Sequence, residues 1–238
     1  MTRWLAVTVI LLLSTIGARA EQTPRGELLE LHSCQVYIGG CIASAEATQD
    51  GRYLLRVWNF SGGTQDRVNL NGLQVALLEI SDQNLADKFS LAAAAVIYLP
   101  TSATSAQATA LTDWVKQTNP ELIRARIEKR CLPMQFTRTD GVVTFHAGDS
   151  LRIQVQPLQA CGLASCGEAL WYTPRSSLSC YTVGVTSESV VHEPLLALTW
   201  IDHGKNNIFE GRFGEGRTEA AFNSPVMACV ADNQHAHE

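Results

Sequence analysis

The chain has no Cys-x-x-Cys, no helical His-Glu-x-x-His, no lysine-bearing phosphate loop and no Gly-x-Ser-x-Gly, and each gap removes a class of chemistry. Without Cys-x-x-Cys, no helix start is placed to lower the pKa of an attacking sulfur, which weighs against a thiol oxidoreductase. His192-Glu193 is followed by Pro194, which excludes the two-histidine zinc-protease helix. Gly211-Arg212-Phe213-Gly214-Glu215-Gly216 has neither the lysine nor the strand-to-helix setting of a phosphate loop and reads as a hairpin turn. In Gly162 to Gly167 the serine sits one place too late for a nucleophile elbow. No carboxylates pair at a recognisable spacing, and Asp202-His203 reads as a surface histidine beside a turn. No catalytic residue is assigned, and the reading leans away from an enzyme.

Positive charge is also scarce, with 18 Lys+Arg against 23 Asp+Glu in 238 residues, a net charge of −5. That balance argues against nucleic acid and against a polybasic attachment to anionic lipid. After the first 20 residues no apolar run approaches the ~20 residues needed to cross a bilayer.

Met1 to Ala20 has an early cation at Arg3, the apolar run Trp4 to Leu13 and the small-residue end Ala18-Arg19-Ala20. These three parts make a secretory signal, with cleavage expected after Ala20 and a periplasmic or secreted product. A retained membrane anchor is the alternative. Cleavage removes two arginines and no acid, so 18 − 2 = 16 cations face 23 acids, or −7. Residues 21–222 are then expected as a single domain and 223–238 as a flexible tail.

All seven cysteines follow the signal, and an oxidising compartment makes two or three disulfides the default. Seven is odd, so at least one sulfur stays reduced, pairs with another chain or holds something. Cys229, in the tail, is the natural odd one.

Gly26 to His32 and Tyr53 to Phe60 read as strands, the second by its alternation, and Gln74 to Ile80 and Ser90 to Leu99 as central strands. Thr104 stands three residues before Gln107 as a capping pair, followed by Ala108, Leu111 and Val115 on one helical face. A shorter helix is expected from Asn119-Pro120, with Ile123 and Ile127 as its buried stripe. From Leu132 onward, short strands separated by Gly and Asp give an antiparallel signature, with no internal repeat. The expected fold class is α+β: a mainly antiparallel sheet, sandwich or barrel-like, with one clear helix and a second short one.

The stretch His32-Ser33-Cys34-Gln35-Val36-Tyr37-Ile38-Gly39-Gly40-Cys41 concentrates the chemistry. The glycines let the chain fold back and bring Cys34 and Cys41 together, either as a disulfide or, with His32, as soft ligands for copper or zinc. A histidine two residues before a cysteine on a strand shares its face. Cys131 and Met134 are further soft-donor candidates, against a buried methionine and a cysteine paired elsewhere. Cys161 and Cys166, with Cys180 nearby, read as a disulfide-closed loop before a three-sulfur site. His235 and His237 in the tail are weak metal scavengers at most.

His32-Ser33-Cys34, then Val68-Asn69-Leu70-Asn71-Gly72-Leu73-Gln74-Val75-Ala76, then Ala103 to Leu111 fall in an order and spacing that resembles the bacterial domain of unknown function 1326. The resemblance covers roughly Gly26 to Leu158. That family opens with Glu-Ser-Cys-x-Cys and a Cys-Pro-Cys, and its cysteine cluster implies a metal or redox role. Relatives are sometimes joined to a predicted metal-binding membrane domain. Here Val36 replaces the second cysteine, and Ile42 and Ala43 follow Cys41, so the cluster is halved.

Two functions are therefore carried forward. One is an exported, non-enzymatic protein that binds or handles copper or zinc through His32, Cys34 and Cys41, with Cys131 and Met134 outside them. The other is a disulfide-stabilised binding or assembly module for another envelope protein, with no metal.

Overall fold

The computed structural model describes residues 22–39, 48–158 and 168–215. Residues 1–20, expected as a secretory signal, Cys41, Cys161 and Cys166, Cys229, and residues 223–238, expected as a flexible tail, lie outside them. In chain order the strands are β1 Arg25–His32, β2 Tyr37–Gly39, β3 Tyr53–Gly62, β4 Thr64–Gln65, β5 Val68–Asn69, β6 Gln74–Ile80, β7 Ala94–Pro100 and β8 Arg126–Leu132. They continue with β9 Met134–Thr139, β10 Val142–Ala147, β11 Leu151–Pro157, β12 Glu168–Leu170, β13 Cys180–Glu193, β14 Leu198–Asp202 and β15 Lys205–Phe213. The helix α1, Ser105–Thr118, separates β7 from β8.

One sheet runs β8-β7-β6-β3-β1-β15-β13-β11-β10-β9, with β14 added to β13. Its two outer strands, β8 and β9, are chain neighbours separated only by Pro133. Proline has no N–H to give a ladder, so the strand breaks there and changes partner. Before the break it runs parallel to β7; after it, antiparallel to β10. The break is pinned on both sides, because Thr101 N–H donates to Leu132 C=O at 3.0 Å and Gly148 N–H to Pro133 C=O at 2.9 Å. The sheet thereby comes close to closing on itself.

The α+β expectation is corrected by this architecture: the described residues are largely all-β, a nearly closed barrel with one α-helix on its outside. The capping pair is present as read, since Thr104 Oγ1 accepts from Gln107 N–H and the Gln107 side chain reaches back. The second helix is a single 3-10 turn, Pro120–Arg124, and the expected stripe fails, with Ile123 81% exposed and Ile127 on β8. The Asp140-Gly141 signal does make a hairpin, with φ of 50° and 79° at the two turn residues joining β9 to β10. Among the described residues, no helix is long and apolar enough to cross a membrane.

Alternation divides the strands into two buried layers. Leu29, Leu31, Leu55, Val57, Leu78, Val96, Phe145, Ile153 and Trp200 fill the barrel interior. Leu28, Trp58, Phe60, Leu77 and Ile97 face outward and are covered by Leu111, Trp114 and Val115 of α1. Trp114 meets Trp58 and Phe60 edge-on at centroid distances of 5.3 and 5.0 Å. The outward faces of β1, β3 and β6 continue past this layer into a buried polar region, where the candidate site lies.

Candidate functional site

Glu30 and His32 are successive outward residues of β1, and both are fully buried. Leucines at 29 and 31 point into the barrel, so the same alternation that builds the core puts a carboxylate and an imidazole side by side on the other face. His32 Nε2 lies 3.0 Å from Glu30 Oε1. Glu30 also accepts from the backbone N–H groups of Arg175 at 2.7 Å and Ser176 at 2.9 Å. Burial alone would raise the Glu30 carboxyl, but the His32 hydrogen bond and the His32 and Arg56 charges hold it down to about 2. An ionised carboxylate only accepts, so Nε2 carries a proton in either state of the ring, and in the neutral ring Nδ1 is the nitrogen left to act. That nitrogen, Nδ1, is buried with no hydrogen-bond partner. The ring stands edge-on to Phe209 at 5.8 Å.

Beyond His32 the strand ends and the chain bends. Asn207 Nδ2 donates to His32 C=O at 2.8 Å, Ser33 N–H to Tyr53 C=O at 3.0 Å and Val36 N–H to Asn206 C=O at 2.9 Å. The bend turns Cys34 into a pocket where it is 3% exposed. Gly51 is required there, since a Cβ at that position would come within 2.8 Å of Cys34 Sγ and 2.3 Å of Asn84 Oδ1. Asn84 donates to Thr48 C=O at 3.2 Å and to Tyr172 Oη at 2.9 Å. Burial pushes the Cys34 thiol up to about 11; the Asp50 charge adds to this and a hydrogen bond with Thr48 offsets part of it. At neutral pH Cys34 is thus a protonated thiol, and a metal would have to displace that proton.

A second charged group lies beside the first. Arg56 of β3 is opposite Glu30 in the ladder, and its guanidinium binds both Glu79 of β6 and Glu121 of the 3-10 turn. One cation cannot neutralise two carboxylates. Glu79 is fully buried with its Oε1 unpartnered; burial drives its carboxyl up, Arg56 pulls it down and Glu121 pushes it back, leaving it at about 7. Arg175 ties down the covering loop by donating to the carbonyls of Leu85 at 3.0 Å, Ser90 at 2.8 Å and Asp87. An open cleft of about 590 Å³ runs above this region, bordered by Lys88, Arg175, Ser176, Ser179 and Tyr181.

The remaining sequence candidates lie elsewhere. Cys131 is an exposed free thiol on β8, while Met134 starts β9 half-buried against the barrel interior. Cys34 is likewise free, and Cys180 is disulfide-bonded. Among the described residues, no three His, Cys, Asp or Glu side chains converge as a metal site. The sequence reading missed Glu30, Arg56, Glu79, Glu121 and Arg175. Only the first three carried a signal, as charges interrupting otherwise apolar strands.

No family model matches the chain, no curated protein matches it and no solved structure matches it. The resemblance drawn above therefore stands on its quoted motifs alone.

Proposed function

We propose that the protein is an exported, non-enzymatic binder of a soft metal ion, copper(I) or zinc, at the end of β1. The observation that carries this is the Glu30–His32 pair. A ligating histidine characteristically donates its second ring N–H to a carboxylate, which fixes the tautomer and leaves the other nitrogen bare. His32 has that carboxylate, and its Nδ1 is buried and without a partner. A buried free thiol, Cys34, stands two residues later, past the end of β1 and so no longer held to its face, and would be the second, soft donor. Cys41, the third favoured ligand, lies outside the described residues. Cys131 and Met134 are left out of the set, since the first is solvent-exposed on β8 and the second packs into the barrel.

The test is elemental analysis and thiol counting on the mature chain prepared without oxygen, followed by copper(I) titration against a chromophoric chelator. One tightly held ion, lost in both Cys34→Ser and His32→Gln with folded circular dichroism spectra retained, is the expected result. No stoichiometric ion, or binding unchanged in both variants, overturns it. A second reading, a disulfide-stabilised module for an envelope partner with no metal, is favoured by the Cys180 disulfide. Four oxidised cysteines, Cys34 and Cys131 still free, and no metal would be its signature.

A further inference from the structure

Two carboxylates converge on a single nitrogen at the outer face of the barrel. Arg56 Nη2 donates to Glu79 Oε2 and to Glu121 Oε1, while Arg56 Nε and Glu79 Oε1, both buried, have no hydrogen-bond partner. Among the described residues, the charges acting on Glu79 are Arg56 of β3, Glu121 of the 3-10 turn and Arg175 of the covering segment, with Glu30 of β1 acting on Arg56 in turn. Asp82, Asp87 and Lys88 of the loop and Arg124 of the turn are exposed, and His32 is separated from Glu79 by Leu54 in the ladder. With both acids ionised, two like charges share one cation out of water, and one of them must move. Glu79 is fixed, because β6 is paired on both sides, by β3 and β7. Glu121 is free to move, on a five-residue turn closed by Leu122 N–H to Asn119 C=O at 3.1 Å and Ala125 N–H to Leu122 C=O at 3.0 Å. The 82–92 loop is tied to that turn, since Ala92 N–H donates to Glu121 C=O at 3.3 Å.

We propose that Glu79 and Arg56 form a proton-controlled latch: a neutral Glu79 leaves the guanidinium to Glu121 and the turn fastened, and loss of its proton lets the turn and the 82–92 loop lift from β3 and β6. Lifting bares Leu122 and Ala92, which are buried in the apolar layer under α1, so the closed form predominates throughout and the proton sets how often it opens. The sign follows from burial. Closed Glu79 is raised from 4.5 to about 7 and returns towards 4.5 once water reaches it, so opening becomes more frequent as pH rises through that window, by at most about 300-fold. The inference does not depend on the metal site.

Amide hydrogen exchange of the mature chain at pH 5 and pH 8, each rate divided by that of an unstructured peptide at the same pH, tests it. The Ala92 and Leu122 amides are expected to be less protected than those of Leu29 and Val57 in the barrel wall, because the cover opens without the barrel unfolding. Their opening should be about tenfold or more as frequent at pH 8 as at pH 5. Amides at the β9–β10 turn, whose fraying leaves Glu79 covered, should not change. Glu79→Gln, neutral at both pH values, should abolish the difference and keep the cover closed. Glu121→Gln, which leaves Arg56 to Glu79 alone, should shrink it, and this variant decides the matter if Glu79→Gln does not fold. Cover amides as protected as the barrel wall, equal opening at the two pH values, a difference that survives Glu79→Gln, or one unchanged in Glu121→Gln overturns the proposal.

Discussion

Arg56→Met is the perturbation that most directly probes how this fold carries its buried charge. Arg56 is the largest side chain with under 2% exposure, and its guanidinium is shared by Glu79 and Glu121 and lies close enough to lower Glu30. Methionine keeps much of the stem volume, so the change removes chiefly the charge. Removing one partner of a buried pair costs about 3–5 kcal/mol, because the carboxylates left behind cannot be rehydrated. Glu79 adds a pH signature. Its folded carboxyl is raised from 4.5 to about 7, so the ionised form is disfavoured by folding and stability falls as pH rises from about 4.5 through 7. Without Arg56 its attraction is lost and Glu79 titrates higher still. The deficit of the variant, measured by urea unfolding, is therefore expected to be larger at pH 8 than at pH 5 by about 1 kcal/mol or more. Arg56→Met combined with Glu79→Met should recover part of the loss, the remainder being Glu121, which stays behind without its cation. A deficit below about 1 kcal/mol at pH 8, or one identical at the two pH values, would refute the account.

Glu30→Gln should remove about 3 kcal/mol at neutral pH, the worth of a carboxyl held at about 2 rather than 4.5. Because the folded value is depressed, that stabilisation is complete above about 4.5 and vanishes as pH falls through 2, so acid unfolding curves of the two proteins should converge there; parallel curves down to the acid limit would contradict it. Gly51→Ala puts a methyl against Cys34 Sγ and Asn84 Oδ1 and should cost about 1–3 kcal/mol while making Cys34 react faster with a thiol reagent. An unchanged unfolding midpoint with Cys34 still unreactive would show that the pocket is looser than its distances indicate.

The fold was legible wherever one face of an element was dry and the other informative. Thr104 and Gln107 announce α1 because a capping box is local chemistry, settled by four residues. Asp140-Gly141 announces a hairpin because few residues tolerate consecutive positive φ. The segment after Pro120 failed for a physical reason. Ile123 and Ile127 are four apart, the helical interval, and the period-two pattern of β8 is spoiled because Arg126, Glu128 and Arg130 alternate on the barrel-facing side. Arg130 is admitted there by a carboxylate waiting across the barrel: Glu193, fully buried, accepts from Arg130 at 2.9 Å and from Tyr98 Oη at 2.6 Å. A pairing 63 residues away in sequence overrides the local preference, and no window along the chain contains both partners.

The site was legible in its location and hidden in its composition, for the same reason. His32 and Cys34 stand out because their residue types are chemically distinctive. Glu30, Arg56 and Glu79 look like the solvent half of alternating strands, which is what charges on a one-sided sheet ordinarily are. Here those strands are dry on both faces, since the 82–92 loop, the 3-10 turn and the segment around Arg175 lie across the outside of the barrel. The covering layer is in turn fastened through the charges, by Glu30 to two backbone N–H groups and by Arg175 to three carbonyls. The buried charges are thus the attachment of the layer to the barrel, and His32 acquires its fixed tautomer as a by-product of that attachment. It follows that loosening the cover and unsetting the histidine are coupled: Glu30 Oε1 accepts from both Arg175 N–H and His32 Nε2, so a change that frees the Arg175–Ser176 segment should also disturb the position of His32.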